Sequence, residues 1–320
     1  MSFSLALGST MNLYDMDQVA KAMDKADGPN QEGLRKVYRK MLEAGPERFV
    51  SKPSNATALE HVLTECPNFA NVLDDLANYI ELSVVGKGGL SVLPILLAGD
   101  PGVGKTHFAK TLAKALSLPY QFLSMGTLTA GWVLSGSAPT WSGARHGKVA
   151  EALIDSEFAN PVYLVDELDK TGGDHRYDPH GALLQLMERE TAAHFKDEYL
   201  DVPINASCIV WVATANNIAL IPDYILSRMA VYEVPAPTAA QSRVIAANIY
   251  SALLREHNWP FEPQLREAAQ DVLASVPPRE MKKKLMDGLA HAVRAKRNWL
   301  APEDIRSSHA RVTRPIGFTG

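Results

Sequence analysis

A glycine-punctuated run ending in a lysine and a hydroxyl, Gly99-Asp100-Pro101-Gly102-Val103-Gly104-Lys105-Thr106, stands directly behind the apolar stretch Leu93–Ala98. This spelling, G-x-x-x-x-G-K-[ST], narrows the folds open to the chain more than any other feature. The apolar stretch reads as a buried strand, and His107 to Leu116 as a helix that starts at the loop. Glycines let the backbone curl until several N–H groups point at one anion. Lys105 adds a point charge, Thr106 offers a hydroxyl to a divalent cation, and the helix opening at His107 turns its positive end to the same place. The expectation is a cradle, residues 99–107, for a nucleoside triphosphate and Mg²⁺.

The pattern around this loop predicts an α/β fold. Apolar strand-like runs at Val92–Ala98, Tyr120–Leu123, Pro161–Val165, Ile209–Ala213 and Ala230–Val234 alternate with amphipathic helices, as in a parallel sheet with helices on both faces. After Pro235 only helical spacing remains. Thr238 with Gln241 forms a capping box ahead of Val244, Ile245, Ile249, Leu253 and Leu254. Two more stripes follow, Leu265 to Leu273 and Met281 to Val293. We therefore expect residues 1–60 as a helical arm or small subdomain, 61–235 as the sheet domain, and 236–320 as a small helical lid with a tail.

Hydrolysis needs a second hold on the metal and a group that activates water. Pro161-Val162-Tyr163-Leu164-Val165-Asp166-Glu167 is an apolar strand ending in two adjacent carboxylates. Asp166 at the strand tip is placed to orient Mg²⁺ through its water shell, and Glu167 to polarise the attacking water. Solvated acids at a strand end are the bland alternative, which the intact loop disfavours. The next strand ends in Thr214-Ala215-Asn216-Asn217, where an amide reaches both γ-phosphate and water. Asn216 is the candidate sensor and Asn217 its rival, with simple chain turning as the structural alternative. Arg228, ahead of the last strand, is a candidate arginine finger for a neighbouring subunit's γ-phosphate; a surface ion pair is the other reading. Arg279, after Val276-Pro277-Pro278, is a candidate nucleotide sensor or else a structural ion-pair partner.

Gly99 to Thr106, Val162 to Glu167, Asn216, Arg228 and Arg279, in this order and with a helical lid, resemble the AAA+ ATPases. Leu164-Val165-Asp166-Glu167-Leu168-Asp169-Lys170, Asp178 to Leu184, Phe195 to Pro203 and Val212 to Asn216 are similar to one branch, the ATPase module of the Lon proteases. The resemblance runs from about Pro94 to Val234, more weakly to about Arg297, and does not reach the first 60 residues. It implies ATP as the nucleotide, with Mg²⁺, and a homo-oligomeric ring, a hexamer in this family. It also implies that Gly136 to Gly147 is a pore loop whose Trp141 grips an unfolded polypeptide, with Ser142 where an apolar residue is usual. His175 stands in the second pore loop, where Lon-like proteins often carry an aromatic.

Lon-type proteases continue into a peptidase domain with a Ser-Lys dyad, and with this sequence stopping at Gly320 the expectation is an ATPase module without it. The expected activity is thus ATP-driven remodelling or threading of a protein substrate. A net charge of −4 argues against a dedicated nucleic-acid coat without excluding a local patch, and Lys282-Lys283-Lys284 reads as a solvated helix face. A nucleic-acid motor and a nucleotide-gated assembly switch are the rival readings. No apolar run is long enough to span a bilayer, and the two cysteines, Cys66 and Cys208, suggest neither disulfide framework nor metal knuckle. The expected compartment is the cytoplasm, with no membrane partner.

Overall fold

The computed structural model describes residues 9–28, 31–86, 89–128, 131–141, 143–170 and 179–306. They divide into two compact units, one built on a sheet and one on helices alone. Of the described residues, the sheet unit takes those within 9–63, 69–101 and 105–235; the helical unit takes 64–68, 102–104 and 236–306.

The sheet unit begins with two three-residue strands, β1 (Thr10–Asn12) and β2 (Glu47–Phe49), paired antiparallel around two helices, Met16–Lys25 and Glu32–Ala44. Five further strands form the main sheet: β3 (Ile95–Ala98), β4 (Tyr120–Ser124), β5 (Val162–Asp166), then, past the short ribbon β6 (Phe195–Lys196) and β7 (Pro203–Ile204), β8 (Val210–Ala215) and β9 (Ala230–Glu233). All five run parallel in the order β4-β5-β8-β3-β9. β3, β5 and β8 are almost wholly buried, which is why they read as unbroken apolar runs. Every strand expected from the sequence is present. β3 starts later than its apolar run, because Pro94 has no N–H for the ladder and Leu93 is more than half exposed.

From β3 the chain leaves for the far edge at β4, returns through β5 to β8 and crosses to β9, so the strand order reverses beside β3. The carboxyl ends of β3, β5 and β8 therefore frame the crevice in which open α/β sheets bind ligands. Helix Lys105–Ala115 starts in that crevice, buries Phe108, Ala109 and Leu112, and stacks Phe108 on Phe69 with ring centroids 4.4 Å apart.

The described residues between 9 and 50 are built into this unit. Leu13, Val19, Leu34, Tyr38, Met41 and Val50 belong to the same core as Val165, Phe195 and Trp211. Tyr38 donates its hydroxyl to the Leu200 carbonyl at 2.6 Å, the buried Arg48 guanidinium reaches the Ile154 carbonyl at 3.1 Å, and the Asn205 N–H donates to the Leu13 carbonyl at 2.7 Å. The segment thus shares one core with the sheet, where the sequence suggested an arm or a helical subdomain.

The helical unit packs Ala239–His257, Glu267–Leu273, Pro278–Arg294 and Pro302–Arg306 around Ile245, Tyr250, Leu253, Leu273, Met281, Leu285 and Leu289. The capping box is formed as expected, Thr238 and Gln241 each accepting from the other's backbone N–H. Val244 and Val293, two members of the expected stripes, lie on the outer side instead, exposed. No described helix is long and apolar enough to cross a membrane.

Candidate active site

The loop between β3 and its helix is held by backbone conformations that favour glycine. Gly102 and Gly104 have φ of +91° and +106°, where a side chain is strained. Lys105 opens the helix and is buried; its ammonium donates to the carbonyls of Gly99 at 2.6 Å and Asp100 at 3.1 Å and to Asn216 Oδ1 at 3.0 Å. Burial lowers its pKa, opposed by the charges of Asp169, Asp166 and Asp100. Asp100, Pro101, Thr106 and His107 are exposed along the rim, and His107 faces Thr111 across 3.4 Å.

Strand β5 delivers the two acids. Asp166 accepts from the Thr106 hydroxyl at 3.2 Å and from the Thr214 hydroxyl at 2.5 Å. Glu167 leaves the strand in the left-handed region, φ +59°, its N–H bonded to Thr214 Oγ1 at 3.0 Å and its carboxylate paired with the Lys170 ammonium. Register explains Thr214: β5 and β8 pair Val165 with Ala213, so one step on places Thr214 beside Asp166. Lys105, Thr106, Asp166, Glu167 and Asn216 are thus brought together, whereas Asn217 turns away to cap the short helix Ile218–Leu220.

The remaining candidates have other partners. Arg228 pairs with Glu188 at 2.5 Å and donates to the Tyr224 carbonyl at 2.6 Å. Arg279 is exposed at the start of helix Pro278–Arg294, with its Cβ beside Gly102 in the helical unit. Trp141 is half exposed on a loop closed at its base by Ser137 N–H to the Arg145 carbonyl at 3.1 Å and by Gly147 N–H to Asp197 Oδ2 at 2.7 Å. Ser142 and His175 lie outside the described residues.

Thr214, Asp169, Lys170, Glu188 and Asp197 were not singled out from the sequence. Their roles arise from partners brought close by folding: Asp197, for example, is fully buried and accepts from Gly147, Tyr199 and Leu200 N–H groups. A strand-end threonine next to a candidate sensor was the one available signal.

Residues 95–235 match the ATPase family associated with various cellular activities (AAA). They are an AAA ATPase domain. Over 169 residues, 52% of this chain, the protein is 40% identical to the mitochondrial Lon protease homologue of Schizosaccharomyces pombe. It is 38% identical over 176 residues to Lon protease 1 of Thermus thermophilus. Those segments span only 16% and 21% of the two relatives' own length. Among solved structures, the Thermotoga maritima RuvB Holliday junction branch migration motor is similar in fold to this chain. Its TM-score is 0.51 at 17% identity, covering 74% of this chain and 67% of that one.

The donor set of this AAA domain fits Mg²⁺. A hydroxyl and a carboxylate, Thr106 and Asp166, meet beside the loop, and no described cluster of three or more His, Cys, Asp or Glu side chains forms a dedicated metal cage. Mg²⁺ characteristically takes one or two such ligands and completes its shell with water and phosphate oxygens.

Proposed function

We propose that the protein is an Mg²⁺-dependent ATPase that assembles as a ring and spends hydrolysis on remodelling or threading a polypeptide. The observation that carries the ATPase reading is the convergence of Lys105, Asp166, Glu167 and Asn216 on the sheet's carboxyl edge. Loop N–H groups and Lys105 bind and orient the phosphates, the Lys105 ammonium leaving its present carbonyl and amide partners. Thr106 and Asp166 hold Mg²⁺, which supplies charge neutralisation on the transferring phosphoryl group. Glu167 takes the proton from the attacking water once its carboxylate turns from Lys170, and Asn216 orients that water.

Arg228 serves the γ-phosphate of an adjacent protomer in this reading, so turnover depends on assembly. Its pair with Glu188 is partly exposed, worth about 0–1 kcal/mol, and a phosphate can displace it. The Lon-like sequence and the half-exposed Trp141 support a polypeptide as substrate. The test is ATPase rate per protomer against protein concentration, repeated with an unfolded protein and with DNA. Cooperative onset, stimulation by the unfolded protein and loss of rate in Arg228→Ala are expected. A rate strictly proportional to dilute protein with a silent Arg228→Ala removes the ring, and stimulation by DNA alone replaces the substrate class.

A further inference from the structure

The turn Leu168–Lys170 after β5 carries a third acid, Asp169, which is 9% exposed. Its Oδ2 accepts two backbone N–H groups, from Asn216 at 3.1 Å and from Asn217 at 3.0 Å. Its Oδ1 is buried with no hydrogen-bond partner among the described residues. Taking a carboxylate out of water costs several kcal/mol, and one oxygen left unmatched adds to that cost. A turn that only needed closing would be better served by a neutral residue, so the charge requires another account.

That account lies at the tip of β8. The ladder between β3 and β8 ends at the pair Ala98 and Ala215, so Asn216 and Asn217 have no strand partner for their N–H groups. Asp169 supplies a charged acceptor to both, and hydrogen bonds to a charged group are shorter and roughly twice as strong as neutral ones. Two bonds to consecutive residues fix where the Asn216 side chain begins, and its Oδ1 then lies 3.0 Å from the Lys105 ammonium.

We propose that Asp169 is a positioning residue for phosphoryl transfer: it tethers the Asn216–Asn217 backbone to the turn after β5, and acts on the reaction through the Asn216 side chain without touching the nucleotide. This rests on the ATPase reading above. Because it acts through one partner, its loss is not additive with loss of that partner.

The experiment is a double-mutant cycle, Asp169→Ala and Asn216→Ala, singly and together, measuring kcat and KM for Mg·ATP, affinity for a fluorescent ADP, and the melting temperature. Asp169→Ala is expected to lower kcat by about 10- to 100-fold with ADP affinity changed by less than about threefold, as for a group misplaced only for the chemical step. In the Asn216→Ala background the same change lowers kcat by less than about twofold. Asp169→Asn, which keeps an oxygen to accept both N–H bonds but gives up the charge, recovers only part of the rate. Equal losses in both backgrounds, or ADP affinity falling in step with kcat, overturn the assignment. If Asp169→Ala does not fold, Asp169→Asn with and without Asn216→Ala gives the cycle, and equal losses again overturn it. An active wild type with additive losses removes only the role of Asp169; a wild type that neither binds ADP nor hydrolyses ATP removes the ATPase reading and this role with it.

Discussion

Glu167 combines a left-handed backbone, a carboxylate turned to Lys170 and an N–H held by Thr214. A non-glycine residue in that conformation costs about 1–2 kcal/mol and persists where its surroundings over-determine it, commonly at a working site. Glu167→Gln keeps the shape and removes the base, so ATP affinity should persist while turnover falls by about 10²- to 10⁴-fold; retained hydrolysis in a steady-state assay would take Glu167 out of its role. Thr214→Val keeps the volume but deprives Asp166 of a donor and leaves the Glu167 N–H unmatched. Unfolding in urea should show a loss of about 1–3 kcal/mol, with kcat reduced as well. Lys105, Thr106, Asp166 and Glu167 were legible as residues because each belongs to a contiguous motif whose chemistry is spelled by neighbours. Thr214 and Asp169 were not, since a threonine or aspartate gains its meaning here from a partner over 40 positions away.

The loop that presents Trp141 is an element set by one buried acid. Asp197 Oδ2 accepts the Gly147 N–H at its base, while Gly136 at the other end has φ +80° and no room for a side chain against the Asp197 carboxylate. Burial pushes the Asp197 carboxyl up to about 6, outweighing the backbone N–H groups and the nearby His146, which favour ionisation. Between its unfolded value of 3.8 and about 6, the folded chain holds a proton that the unfolded chain has released. Stability from this group is therefore fully present below about pH 4 and lost as pH rises through 6, on the order of 2–3 kcal/mol in all. Denaturant melts of wild type and Asp197→Asn should diverge in the wild type's favour as pH falls from 7 to 5; parallel curves would show that Asp197 does not titrate there. Trp141→Ala should leave basal ATPase within about twofold, since its half-exposed ring lies on this loop and not among the groups gathered at the strand tips. Substrate-stimulated turnover is the readout expected to disappear.

At the scale of the molecule, the described residues between 9 and 50 form part of the core of the sheet unit. Val19 and Met41 are completely buried and Leu13, Tyr38 and Val50 nearly so, in the same core as β5 and β8. A chain lacking residues 1–50 should expose that core and fail to show a cooperative melt or bind ADP; a stable, ADP-binding truncation would contradict the shared core. The main sheet was visible in the sequence because strands covered on both faces need unbroken apolar runs, and the helical unit because a one-sided core imposes helical spacing. The N-terminal segment was harder to place. Its strands are three residues long, and its attachment runs through single contacts such as Tyr38 to Leu200, which no local pattern announces.

Local chemistry, read along the chain, determined that a glycine-rich loop ending in Lys105 and Thr106 is followed by a strand-end acid pair, an amide and a helical bundle. Each of those signals resides in neighbouring residues and needs no knowledge of the rest. Only the folded arrangement decided that β5 and β8 lie side by side, with Thr214 bridging Asp166 and Glu167 and Asp169 holding Asn216 near Lys105. Strand order and register are properties of the whole packed core, and hydrogen bonds between distant residues exist only once that packing has placed them.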